Sequence, residues 1–80
     1  MNVESLITMA NQIADFFDAE AGVDAAQQEV AAHITKFWDP RMRTQLIAHA
    51  AAGGAGLSPT ALAAAMQLQP PLVKAASAVV

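Results

Sequence analysis

Apolar residues recur at steps of three and four along the first part of the chain. There they are Leu6, Met9, Ile13, Phe16 and Phe17. This spacing places side chains on one face of an α-helix. We therefore predict a first helix over about residues 3–20. Glu4 falls in its first turn, where the helix dipole favours a carboxylate, and Gly22 is a natural C-terminal stop.

A second amphipathic segment follows and predicts a helix over about residues 24–37. Asp24 with Gln27 three positions later fits a capping box at its start. Its apolar face is expected to comprise Ala26, Val30, Ile34 and Phe37. The residue before a proline is disfavoured in the α conformation, so the helix must end before Pro40.

A third helix is predicted after Asp39 and Pro40. An aspartate at the N-cap accepts hydrogen bonds from free amide groups, and a proline at the first helical position sacrifices no hydrogen bond. The expected buried stripe is Met42, Leu46, Ile47 and Ala50. Gly53 and Gly54 are expected to end this helix.

Ser58 and Pro59 repeat the same start for a fourth helix that ends near Leu68. Leu57 and Leu62 occupy the hydrophobic-staple positions on either side of this cap, which supports the assignment. The pattern thus predicts an all-α fold, a small single domain of about four short helices over residues 1–71. Residues 72–80 form an apolar C-terminal tail whose order the sequence leaves open.

The composition indicates a surface for binding another protein. Hydrophobic residues make up 55% of the chain, 20 of the 80 residues are alanine, and charged residues are only 14%, against about 25% in average domains. A small domain so poor in charge exposes apolar surface, and such surface marks interaction sites. The net charge of −3 argues against binding nucleic acid, which requires a basic face.

The sequence also predicts a cytoplasmic protein that binds no membrane. No run of about 18 apolar residues is present, and the start of the chain lacks the pattern of a signal peptide. The chain has no cysteine, which excludes thiol catalysis and thiolate metal sites. Glu29 and His33 share a helical face, but a third metal ligand is missing. We therefore expect no catalytic, cofactor-binding or metal-binding residue, and no enzymatic activity of the chain alone.

The segment between the second and third helices concentrates the residue types found at protein-binding hot spots, tryptophan and arginine. The candidate interface residues are Lys36, Trp38, Asp39, Arg41, Met42 and Arg43, together with Asn11 and Gln12 of the first helix. In one interpretation Phe37 and Trp38 close the core and Arg43 covers Trp38 in a cation–π contact. In another, Trp38, Arg41 and Arg43 are exposed anchors for a partner. The two are compatible if Phe37 is buried and the others are partly exposed.

Three segments taken together resemble a known family. They are MANQIA with FF at residues 9–14 and 16–17, VAAHI leading into KFWDPRMR at residues 30–34 and 36–43, and AAAGGAGLSP at residues 50–59. They resemble the delta subunit of the NAD-dependent, molybdenum-containing formate dehydrogenases. The resemblance covers about residues 4–68, and the segment KFWDPRMR is its most specific part.

The resemblance implies a non-catalytic accessory subunit of a complex that oxidises formate to CO2 and reduces NAD to NADH. The large alpha subunit of that complex is expected to carry a bis-pterin molybdenum or tungsten cofactor and iron–sulfur clusters. The beta and gamma subunits are expected to carry FMN and further clusters, and the delta subunit none. The chain would bind the large subunit and support assembly or stability. The alternatives are a transient maturation factor for insertion or retention of the molybdenum cofactor, and an unrelated small helical interaction module.

Overall fold

The computed structural model describes residues 2–68, and within this range all regular structure is α-helical. The four helices are α1 (Val3–Ala21), α2 (Val23–Phe37), α3 (Pro40–Ala51) and α4 (Pro59–Gln67). The predicted fold class and the order of the four helices are confirmed. The predicted tail, residues 72–80, lies outside the described residues. No helix of residues 2–68 combines the length and apolar character needed to cross a membrane.

Side-chain caps fix the starts of three helices. The carboxylate of Asp39 accepts hydrogen bonds from the backbone N–H groups of Arg41 (2.9 Å) and Met42 (3.1 Å). The Ser58 hydroxyl accepts one from Ala61 N–H (3.2 Å). The side chain of Asn2 does the same for α1. Because these bonds satisfy amide groups that have no partner inside the helix, the cap residues set where each helix begins.

The start of α2 differs from the prediction. Gly22 ends α1 and also precedes the first residue of α2, with φ 84° and ψ 155°, and no side chain caps α2. The capping box proposed for Asp24 and Gln27 is therefore wrong, since Asp24 lies inside the first turn. A single residue joins the two helices, and only glycine adopts this backbone conformation readily.

The core lies between four-residue repeats on the helices. These repeats are Leu6, Ala10 and Ala14 on α1, Ala26, Val30 and Ile34 on α2, and Leu46 and Ala50 on α3. Helix α4 adds Ala61, Ala64 and Ala65. Many core side chains are alanine, and such small side chains let helix axes approach closely. The predicted α1 stripe was partly wrong, because Met9 and Phe16 are exposed (36% and 57%).

Helices α1 and α2 form a hairpin, and α4 packs across both of them. Helix α3 packs against α4 and α1, so the chain turns sharply after α2 to bring α3 against these two helices. Thr60 on α4 is buried, and its hydroxyl donates a 2.7 Å hydrogen bond to the carboxylate of Asp18 on α1. This arrangement leaves one face of the α1–α2 hairpin, next to the α2–α3 corner, uncovered within residues 2–68.

Candidate partner-binding site

The α2–α3 corner is a short turn of two residues. Trp38 and Asp39 are extended, with φ and ψ of −91° and 143° and of −76° and 165°, and Pro40 begins α3 directly. The Arg43 guanidinium reaches back from α3 and donates hydrogen bonds to the carbonyls of Trp38 (2.6 Å) and Thr35 (3.4 Å). A cation on the last carbonyl groups of a helix is favoured by both hydrogen bonding and the helix dipole. Arg43 therefore holds the end of α2 against the start of α3.

The two neighbouring aromatic residues of the corner are buried in the reverse order from the prediction. Trp38 is 5% exposed and belongs to the core, whereas Phe37 is 70% exposed. Trp38 continues the four-residue repeat of Val30 and Ile34, and Phe37 falls to the side of that stripe. The interpretations of Phe37 as a buried residue and of Trp38 as an exposed anchor are both wrong.

A groove of about 450 Å³ opens beside the corner. Helices α1, α2 and α3 all contribute to it. Its lining residues are Met9, Gln12, Ile13, His33, Phe37, Trp38 and Met42. Three of the predicted interface residues, Gln12, Trp38 and Met42, thus come together here, although they lie 26 to 30 positions apart between α1 and the corner. We call this feature the corner groove.

Aromatic rings extend from the groove along the α1–α2 face. The Phe16 and Phe17 ring centroids are 5.0 Å apart, Phe17 and His33 are 6.2 Å apart, and His33 and Phe37 are 4.8 Å apart. We call these four residues the aromatic strip. The His33 ring packs between two phenylalanines, which gives this histidine a packing role. Offset and edge-to-face contacts of this kind are favourable for aromatic rings.

Lys36 and Arg41, two of the predicted interface residues, are exposed. Lys36 lies in a shallow hollow beside the aromatic strip, together with Glu29 and Phe37. Arg41 is in the first turn of α3. Asp39 is also exposed, but its carboxylate is engaged in the cap of α3. The polar rim beside the groove therefore carries both signs of charge.

Asn11 has a role that the sequence did not indicate. Its side-chain amide donates to the Gly56 carbonyl (2.9 Å), and its side-chain oxygen accepts from the Ser58 N–H (2.9 Å). It is one of the predicted interface residues. Instead Asn11 holds the α3–α4 connection against α1. It is not among the residues that line the corner groove.

The histidines are placed as packing and loop residues. His49 Nε2 lies 2.7 Å from the Ala55 carbonyl, and since a carbonyl only accepts, that nitrogen carries the proton. Within residues 2–68, no three histidine, aspartate or glutamate side chains are placed to share a metal ion. The side chains of the corner groove are mainly apolar and aromatic with one amide and one imidazole, which suits recognition of apolar groups.

Sequence reasoning did not assign Met9, Phe16, Phe37 or His33 to this surface. The spacing places the first three in buried stripes, and His33 is considered only as a metal ligand. The four-residue repeats of the core give a better guide, because His33 and Phe37 lie one position before Ile34 and Trp38, and Phe16 lies two positions after Ala14, which turns these side chains toward the edge of the core. Met9 is displaced from the Leu6–Ala10 repeat in the same way.

The family model of the NADH-dependant formate dehydrogenase delta subunit FdsD matches residues 5–65 of the chain. The chain belongs to this family. The matched residues contain α2 and α3 complete and most of α1 and α4, so the residues of the corner groove and of the aromatic strip all lie within the match. Neither the curated proteins nor the solved structures contain a match to the chain.

Proposed function

We propose that this delta subunit is a non-catalytic accessory subunit that binds the large, molybdenum-bearing subunit of formate dehydrogenase through the corner groove. It thereby supports the assembly or stability of the complex. The observation that carries the proposal is a 450 Å³ groove with a mainly apolar lining on a small domain. Exposed apolar surface of this kind is costly to keep in water and marks a binding site.

The proposed partners follow from the family. The complex is expected to oxidise formate and reduce NAD in the cytoplasm. The large alpha subunit would hold a bis-pterin molybdenum or tungsten cofactor with iron–sulfur clusters. The beta and gamma subunits would hold FMN and further clusters. The delta subunit contributes binding surface rather than redox chemistry.

The corner supplies the parts that a protein interface needs. Trp38 forms a rigid apolar floor, because it is held in the core, and Met42 and Met9 give the walls flexible side chains that adapt to a partner. The Gln12 amide is exposed and both donates and accepts hydrogen bonds. Lys36 and Arg41 provide charge near the rim, where it affects association rate and orientation more than affinity.

The first test is co-expression of the tagged large subunit with variants of the delta subunit. Gln12→Arg and Met9→Arg place a charge in the corner groove without removing a buried side chain. We expect either change to reduce co-purification strongly. Met66→Arg is the matched control, because Met66 is an exposed apolar residue (68%) on α4, outside the groove lining.

Equal recovery of the groove variants and the control, with unchanged helical circular dichroism, would contradict the assignment of the groove.

A second measurement distinguishes a structural subunit from a transient maturation factor. Formate oxidation and molybdenum content are compared in complexes made with and without the chain. One delta subunit per large subunit in the active enzyme supports the structural role. Loss of metal without the chain, combined with substoichiometric content in active enzyme, would support a transient maturation factor instead.

A further inference from the structure

The uncovered face of the α1–α2 hairpin extends the corner groove into a longer track. We propose that this track, the aromatic strip together with the groove, receives one amphipathic helix of the large subunit, lying along the hairpin with a fixed direction. This inference rests on the proposed function and adds the kind of element that binds and its orientation.

The strip consists of rings that a soluble helix would otherwise bury. Phe37 is 70% exposed and Phe16 is 57% exposed, while Phe17 and His33 between them are half-buried. The strip therefore has protruding ends and a recessed middle, and Met9 at the groove edge is 36% exposed. Aromatic residues with this exposure, flanked by polar side chains, are typical anchors of a protein interface.

The spacing of the rings fits a helix as the occupant. Phe17 and His33 face each other across the hairpin, and His33 and Phe37 lie four positions apart on α2 with ring centroids 4.8 Å apart, close to the pitch of an α-helix, about 5.4 Å. A partner helix lying along α2 would place apolar side chains on either side of this His33–Phe37 ridge. This is the usual geometry of a helix in a groove, with anchors at three- and four-residue intervals.

Charge is separated along the track. The exposed Glu20, four residues after Phe16 on α1, lies toward the α1–α2 turn, and the exposed cations Lys36 and Arg41 lie near the α2–α3 corner. A partner helix with basic residues near the turn and acidic residues near the corner is therefore favoured over the reversed orientation. Glu29, midway along α2, and Asp39, at the α2–α3 corner, reduce the electrostatic preference for this orientation but do not reverse it.

A second copy of the chain is the main competing occupant, because an antiparallel pair would also bring opposite charges together. The shape of the surface argues against it. The corner groove is a concave feature between helices, and two such surfaces facing each other would enclose empty space. A single helix is convex and fills the groove, and interfaces require that kind of complementarity.

Photo-crosslinking tests the occupant and its direction. A photoreactive phenylalanine analogue is placed at position 16 or at position 37 of the delta subunit, the complex is irradiated, and the crosslinked peptides are mapped. We expect both positions to reach one helical segment of the large subunit, at sites within about three helical turns of each other. Basic residues should flank the site reached from position 16, and acidic residues the site reached from position 37.

Affinity measurements give an independent check. Phe16→Ser and Phe37→Ser should each weaken binding of the large subunit at least about tenfold, as truncation of interface anchors does. Met66→Ser, which removes an equally exposed apolar side chain from α4, should leave binding unchanged. Both phenylalanines are largely exposed, so these variants should retain their helical circular dichroism.

Four outcomes would overturn the inference. They are crosslinks to a second delta subunit, crosslinks to the other subunits, crosslinks to non-helical segments, and wild-type affinity of both phenylalanine variants. Each of these leaves the proposed function intact as long as the wild-type chain co-purifies with the large subunit. Absence of the wild-type chain from the purified complex would instead reject the proposed function itself.

Discussion

Asn11 offers a sharp test of how the chain folds, because its side chain bonds to Gly56, a residue 45 positions later in the sequence. The amide donates to the Gly56 carbonyl, and its oxygen accepts from the Ser58 N–H, both at 2.9 Å. Ser58 is also the N-cap of α4. We predict that Asn11→Ala destabilises the whole domain by releasing the α3–α4 connection from α1.

The magnitude follows from where the two bonds lie. The bond to Gly56 is exposed, so water replaces it at little cost. The bond to Ser58 is partly buried, and an unsatisfied N–H in that setting costs about 1–3 kcal/mol. Alanine has a better helix propensity than asparagine by roughly 0.5 kcal/mol, which offsets part of the loss. We expect the free energy of unfolding to fall by about 1–2 kcal/mol, and Tm by about 5–15 °C.

Urea denaturation of the full chain measures this directly. The chain has a single tryptophan, and because Trp38 is in the core, its fluorescence reports unfolding alongside helical circular dichroism. Asn11→Asp separates the two bonds, since it keeps the acceptor for Ser58 N–H and loses the donor to Gly56. Gln12→Ala is the matched control. It changes an exposed neighbour and should alter stability by less than about 0.5 kcal/mol.

One result would refute this reasoning. If Asn11→Ala unfolds at the wild-type urea concentration but weakens the complex with the large subunit, Asn11 acts at the interface, as its place among the predicted interface residues implied. If it loses stability and the purified, folded variant still binds with wild-type affinity, Asn11 is a residue of the fold alone.

Three further predictions use the same urea titration. Trp38→Ala should cost about 3–5 kcal/mol and Phe37→Ala under about 1 kcal/mol, because only the tryptophan is in the core; equal costs would contradict the burial described. Asp39→Ala should cost about 1–2 kcal/mol by removing the cap of α3, and Asp39→Asn should restore most of that loss. Gly54→Ala should cost about 1–2 kcal/mol, because φ is 66°, whereas the end of the Leu62 side chain can shift to make room for the added Cβ; an unchanged midpoint would show that the backbone of the loop relaxes freely.

Cap chemistry made the helix starts predictable. Asp39 with Pro40 and Ser58 with Pro59 each determine a helix start through atoms only two or three residues away, so the sequence contains the whole cause. Asp24 shows the limit of this method. Its spacing to Gln27 was suitable, but Gly22 had already begun the helix, and the backbone left no N-cap position for Asp24.

The buried faces of the helices were less predictable, because the predicted stripes were traced through the large apolar residues. Phe16 and Phe37 fall in the predicted stripes because each lies three residues after an isoleucine of its stripe, Ile13 or Ile34. The core is instead built from the four-residue repeats, in which alanine fills many positions. Alanine contributes little to a hydrophobic pattern even where it is fully buried, so the repeat becomes visible only when small residues count equally.

Long-range polar contacts could not be predicted from the sequence. Thr60 and Asp18 are 42 positions apart in the sequence, and Asn11 and Gly56 are 45 positions apart. Their pairing depends on how α4 lies across α1, which no local pattern specifies. The corner groove could not be predicted for the same reason, since it also depends on how the helices pack. Its residue types were present in the predicted interface, but only the packed helices show which of them share a surface.

Gly22 is the single residue between α1 and α2, and it therefore fixes how α2 is rotated about its axis relative to α1. These two helices carry the aromatic strip. Consecutive helical residues are separated by about 100° around the axis. One residue inserted beside Gly22 would therefore turn the whole of α2 relative to α1, carry Val30 and Ile34 out of the core, and move His33 away from Phe17. A loop of several residues would absorb such an insertion. The length of the chain between α1 and α2 is therefore itself a determinant of the surface that α1 and α2 present together.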